Sequence, residues 1–330
     1  MRLSDVRLSV LDTAPIVEGS TARDALHNTV DLARLADELG YHRYWVPEHH
    51  GMRGVASTDP AVLATRLADA TRNLRVGAGG VLLPNHPPLL VAERFGMVQA
   101  LHPGRVDLGL GRAPGGPPAA AGAIRPEVER AAASFAEQVR ELLGYFDPPE
   151  DWTVRAVSAR GNQPPVWILG SSPNSAELAG ALGLPYAFAH HLQPGNTAEA
   201  LRTYRAHFQP AAQLSAPQTL VSVSLVAADT DEDAHWLAGS EQLKTISRRY
   251  GRRILLPPPE DAAAYPYDEA DRDALAARSE SVLVGSPETL TARLDALLAA
   301  TGTGELMVRT LVHDHAARRR SYELLSRIVG

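Results

Sequence analysis

Five short strings gather side chains that do chemistry. Glu48-His49-His50 sets a carboxylate beside two imidazoles, Gly79-Gly80 is followed by Asn85-His86, Gly111-Arg112 presents a guanidinium, Gly170-Ser171-Ser172-Pro173-Asn174-Ser175 strings out hydroxyls, and His190-His191 doubles an imidazole. A neutral imidazole exchanges protons near pH 7, which makes general acid or base work the best use for His49; a buried, hydrogen-bonded histidine is the plainer alternative. The serine string reads as an anion cradle. A glycine-ended strand entering a helix offers unpaired N–H groups and hydroxyls to a phosphate, and Arg112 would add a bidentate charge. The competing reading is that the serines cap the helix and Arg112 caps carbonyls. Glycine weakens a strand unless something must come close, so Gly79-Gly80 marks either a tight barrel corner or a place where a flat ring lies on the main chain.

A metal is the other chemistry to weigh. Adjacent residues of an extended chain point to opposite sides, so at most two of Glu48, His49 and His50 face one space. His313-Asp314-His315 has ligand-like spacing, yet a metal hydrolase barrel would place His-x-His after its first strand, where this chain has Leu11-Asp12-Thr13. No metal site is expected.

These strings have to be positioned by regular elements. Arg7 to Leu11 is β-rich; Ser20-Thr21 then caps a 3.6-period stripe through Leu26, Val30, Ala33 and Leu39 that stops at Gly40. Tyr41 to Val46 is the next strand, and Thr58-Asp59-Pro60 supplies a cap and a first-turn proline for the next helix. Leu74 to Leu83 and Val106 to Leu110 continue the series, so that Arg7, Tyr41, Leu74 and Val106 lie 34, 33 and 32 residues apart. Val166 to Leu169, Tyr186 to Ala189, Leu220 to Ala227 and Glu305 to Leu311 complete eight strands with helices between them. That arithmetic predicts an α/β fold, a (β/α)8 TIM barrel in a single domain over residues 1–330, with insertions after strands 4 and 7. The runner-up, an open doubly wound sheet, would need a phosphate fingerprint in the first βα turn, and Asp12-Thr13-Ala14-Pro15 has none. In a barrel all five strings end strands on the same face, so they share one mouth.

Composition narrows the partners. The chain has 330 residues, no Cys, and 32 basic against 38 acidic residues for a net charge of -6. Thiolate chemistry and disulfides are excluded, and the charge is the opposite of a nucleic-acid footprint. Lys244 is the only lysine, so 31 of the basic residues are Arg, a bias read as compositional. No run of 18 apolar residues and no basic start followed by an apolar stretch occurs, so a soluble cytoplasmic protein without membrane contact is expected.

Taken together the strings resemble the bacterial luciferase-like monooxygenases, and within them the luciferase-family oxidoreductase subgroup. The resemblance runs through Gly40-Tyr41 and Trp45-Val46-Pro47-Glu48-His49-His50, Val76 to His86, Leu101 to Gly115, Trp167 to Ser172, Gly183 to His191, and Ser321 to Leu325. It implies a barrel that binds reduced FMN as a co-substrate and activates dioxygen as a flavin hydroperoxide to oxygenate a small organic substrate. By the same resemblance His49 is the catalytic histidine. Gly79 and Gly80 pass under the isoalloxazine, often with a cis peptide, and Arg112, Ser171, Ser172 and Ser175 bind the phosphate. His190 stands where relatives commonly put an aromatic residue against the flavin, and Gly111 where luciferase has a cysteine. With no dinucleotide fingerprint, the resemblance further implies a separate NAD(P)H:flavin reductase, and a homodimer through the early helices. A deazaflavin-dependent oxidoreductase and a non-catalytic flavin-binding protein on the same barrel are the alternatives. The substrate pocket would be built from Ala113 to Gly122 and from the segment near Tyr250 to Tyr267.

Overall fold

The computed structural model describes residues 2–113, 115–125 and 134–329; Pro114, part of one of the strings above, lies outside them. Eight parallel strands close a ring: β1 (Arg7–Leu11), β2 (Arg43–Val46), β3 (Arg75–Leu82), β4 (Val106–Gly111), β5 (Val166–Gly170), β6 (Tyr186–Ala189), β7 (Thr219–Ala227) and β9 (Glu305–Arg309). Closure comes from β9, which pairs with β1 at Leu8↔Leu306 and with β7 at Val221↔Leu306. The expected barrel is therefore present. The sequence reading did not include β8 (Val282–Gly285), which pairs with β7 alone and stands outside the ring. Four residues inside a long insertion are too short a run to separate from a loop by periodicity.

Helices cover the outside. α1 (Ala22–Glu38) begins with a capping box in which Thr21 and Asp24 satisfy each other's N–H groups, and α2 (Pro60–Ala70) begins with Asp59 accepting from Ala61 and Val62. α3 (Pro88–Leu101) follows β3. After β4 the insertion holds α4 (Pro118–Ile124), a helix started by proline, and α5 (Phe135–Phe146). α6 (Pro173–Ala181) and α7 (Thr197–His207) follow β5 and β6. The insertion after β7 comprises α8 (Asp231–Arg249), α9 (Pro259–Ala264), α10 (Glu269–Ala276), β8 and α11 (Pro287–Thr301), and α12 (His315–Val329) closes the chain. No helix among the described residues is long and apolar enough to cross a membrane.

Strand alternation sorts the barrel interior into layers. At the amino-terminal end, Arg43 donates to Asp107 at 2.7 Å and to Glu305 at 2.8 Å, Arg75 meets Asp107 at 2.6 Å, and Ser9 meets Glu305 at 2.6 Å. Above it Leu11, Trp45, Trp167, Ala187, Leu220 and Met307 form an apolar plug. With the lower end ionically closed and the middle filled, only the carboxyl end is left for a ligand.

Candidate active site

Glu48 is the hub of the rim between β2 and β3. Only 2% exposed, it accepts from the Leu82 backbone N–H at 3.0 Å, Asn85 Nδ2 at 3.0 Å, His86 Nε2 at 2.9 Å and His50 Nε2 at 2.8 Å, while its own N–H donates to the Gly80 carbonyl at 3.1 Å. Burial alone would raise the Glu48 carboxyl, but the hydrogen bonds from His86, Asn85 and Leu82 hold it below its usual range. Glu48 and His50 thus turn together toward His86. A cavity of about 300 Å³ beside them is lined by Glu48, His50, His86, Asp59, Arg94 and Phe95.

His49, with neighbours on both sides engaged, is free to face elsewhere. Its backbone N–H donates to the Ser57 carbonyl at 3.0 Å, and Ser57 Oγ in turn donates to the Pro47 carbonyl at 2.5 Å, which fixes the loop. The half-buried ring carries a buried Nδ1 that has no hydrogen-bond partner among the described residues. Burial lowers its pKa against the opposing charge of Glu48, so the imidazole is neutral at pH 7.

The Gly79-Gly80 peptide is cis. A Cβ on Gly79 would lie 2.9 Å from Leu11 Cδ1 and 3.0 Å from Trp45 Cβ, and one on Gly80 would lie 2.7 Å from the Gly109 carbonyl oxygen. Glycine is required here by the neighbouring strands themselves.

The anion-cradle residues lie at the ends of β4 and β5. Arg112 is exposed just past β4, and among the described residues no carboxylate pairs with it. Ser172 is the N-cap of α6 but its hydroxyl makes no capping bond. Ser175 Oγ donates to the Ser172 carbonyl at 2.7 Å and meets Tyr186 Oη at 3.0 Å, and the Ser171 carbonyl accepts from Asn196 Nδ2 at 3.2 Å. Ser175 therefore braces the turn on which Ser171 and Ser172 are displayed.

His190 Nδ1 meets Thr197 Oγ1 at 2.8 Å, and burial lowers its pKa. His191 Nδ1 meets the Ser222 carbonyl at 3.2 Å and hydroxyl at 3.1 Å; burial, with Arg309 nearby, pushes its pKa down from 6.5 to about 3. An imidazole depressed in the folded state is protonated first in the unfolded chain. Its penalty is absent above about pH 6.5 and grows as pH falls toward 3. His191→Gln is expected to flatten the acid loss of stability by up to about 1.4 kcal/mol per pH unit, read as the pH dependence of Tm. An unchanged acid slope would remove His191 from the acid-sensitive set.

The structure adds a rim cluster to which sequence reasoning gave no role. Arg309, on the inward face of β9 with Glu305 and Met307, donates to Ser224 Oγ at 3.0 Å and to Glu241 Oε1 at 2.5 Å. Its charge reaches both His49 and His191. The remaining histidine string disperses: His313 meets the Glu18 carbonyl at 3.1 Å and His315 pairs with Asp31 at 2.8 Å. Among the described residues no group of three or more His, Cys, Asp or Glu is placed to hold a metal ion.

Known proteins resemble this chain in sequence and in fold. The sequence profile of the luciferase-like monooxygenase family matches residues 6–304. The luciferase-like monooxygenase of Escherichia coli (strain K12) is 42% identical over 320 residues, covering 97% of this chain and 96% of the relative. N-acetyl-S-alkylcysteine monooxygenase of Bacillus subtilis (strain 168) is 32% identical over 329 residues, covering 97% of each. Among solved structures, apo-MsnO8 superposes with a TM-score of 0.93 at 39% identity, covering 98% of both chains. On a profile match over residues 6–304 and a relative 42% identical over 97% of the chain, the chain belongs to the luciferase-like monooxygenase family.

Proposed function

We propose that this chain, as one barrel domain over residues 1–330, is the oxygenase of a two-component system. A separate NAD(P)H:flavin reductase delivers reduced FMN, and the barrel uses it with dioxygen in the cytoplasm to oxygenate a small organic substrate. The observation that carries this reading is that, among the described residues, one rim is shared by His49, whose Nδ1 has no partner, and an anion cradle whose arginine has no carboxylate partner. The oxygenase relative named for N-acetyl-S-alkylcysteine supports a small polar substrate.

The residues present fit FMN. Arg112, the hydroxyls of Ser171 and Ser172 and the first-turn N–H groups of α6 would hold the phosphate, with Ser175 bracing them. Gly79, Gly80 and His190 would line the ring. Bound reduced flavin supplies the electron pair that activates dioxygen. His49 holds or delivers a proton at Nδ1, kept neutral by burial and aimed by the Glu48 and Ser57 anchors on its loop. The Leu256 carbonyl accepts from the Glu18 N–H at 2.8 Å, tying the insertion after β7 to the loop after β1 and limiting water at the mouth.

Anaerobic titration of the purified protein with reduced FMN tests this directly. Saturable uptake is expected; no uptake of FMN, or a preference for a deazaflavin, would overturn it, and efficient NADPH oxidation by the protein alone would remove the reductase. Arg112→Ala is expected to weaken reduced FMN by about 1.5–3 kcal/mol, one to two orders of magnitude in Kd. An unchanged Kd would take Arg112 out of the phosphate site.

The same reading includes a homodimer. Leu90, Met97 and Leu101 are 41%, 53% and 64% exposed on α3, at spacings of one helix face, beside Val62 at 69% on α2. Such a stripe is suited to a second copy. Met97→Glu is expected to convert a dimer to monomers in sedimentation velocity; a monomeric wild type would refute the assembly.

A further inference from the structure

Lys244, the only lysine of the chain, lies on α8 where that helix spans from β7 to the loops above β1 and β2. Its Nζ is 2.8 Å from the position a Cβ on Gly54 would take, and the side chain is half-buried. Glu241, one turn earlier on α8, is drawn to Arg309 at 2.5 Å instead. Among the described residues no carboxylate lies within 4.0 Å of the ammonium, and no hydrogen bond meets it. Burial and the charges of Arg248 and Arg309, against the opposing charge of Glu241, push its pKa down to about 8, so it remains mainly protonated at neutral pH. A half-buried cation with no carboxylate at ion-pair distance is costly in the free protein, and an anion set against it relieves that cost. Arg309 is held in place by Glu241 and Ser224, and its field reaches His49, the histidine assigned to catalysis.

We propose that Lys244 seats a carboxylate of the organic substrate, with the braced Arg309 as the fixed second charge behind it. The substrate class is thus a small organic acid whose oxygenated group lies some way from its carboxylate. This rests on the reading that the mouth is the oxygenation site. A phosphate, such as that of the flavin, is the other anion that Lys244 could take.

Because no other lysine exists, acylation of a side-chain amine reports on this site alone. Purified protein is treated with the neutral reagent N-hydroxysuccinimidyl acetate, and acetylation of Lys244 is followed by peptide mass spectrometry, with the chain's α-amino group as the internal control. Benzoate or hexanoate is expected to slow acetylation of Lys244 about tenfold at saturation, whereas benzamide and hexanamide leave it unchanged. By calorimetry, Lys244→Gln is expected to weaken the protecting carboxylate about tenfold, and Lys244→Arg to retain it. The proposal is overturned if neither acid protects, if the amides protect equally, or if FMN alone protects, which would assign Lys244 to the flavin phosphate. Failure of FMN to bind would overturn the functional reading instead, and the labelling result distinguishes the two.

Discussion

Replacing His49 by Ala is expected to lower product formation by about two to four orders of magnitude, the range of a lost general acid or base. The residue is suited to that role by three separate features. Burial keeps the ring neutral, Nδ1 is buried with no partner among the described residues, and the flanking Glu48 and Ser57 contacts fix the backbone that carries it. Reduced FMN should still bind, because the cradle at Arg112 and Ser172 lies on other strands, so kcat falls more than affinity. Oxygen consumed without product should appear as hydrogen peroxide. In the wild type, kcat should decline as pH falls through a His49 pKa lying below 6.5, and His49→Ala should lose that limb. Wild-type coupling of oxygen to product in His49→Ala would remove the residue from the chemistry.

Glu48→Ala is expected to cost about 2–4 kcal/mol of stability and at least about tenfold in kcat. One carboxylate accepts from Leu82 N–H, Asn85, His86 and His50, and its backbone is tied to Gly80, so it joins the loop after β2 to β3. Truncation leaves those donors facing an emptied space and releases the peptide that aims His49. Glu48→Gln keeps the shape and one acceptor, and should recover only part of both losses because its NH2 confronts other donors. Denaturant midpoints and single-turnover rates measure the two effects. Unchanged stability together with unchanged kcat would show that the hub positions nothing.

How much of this could be read before folding depends on the range over which each feature is encoded. The Thr21 and Asp59 caps and the glycine-ended strands are each written in a few consecutive residues, and with strands recurring every 32 to 34 residues they sufficed for the barrel and for placing the five strings on one rim. β8 escaped because a four-residue strand outside the ring has no period of its own. The partnerships around the mouth escaped for a different reason. Glu48 meets His86 across 38 residues and Arg309 meets Glu241 across 68, so pairing follows from closure of the ring and the path of α8 rather than from spacing. Likewise, a serine string marks a possible anion site, but only the fold shows that Ser175 is turned inward to Tyr186 while Arg112 stays exposed. Residue types and local periods determined which groups stand at the barrel's open end. Long-range packing, which sets burial and decides which donor finds which acceptor, determined that His49 is neutral with an Nδ1 unpartnered among the described residues, that Glu48 is a brace, and that the single lysine is set beside Gly54.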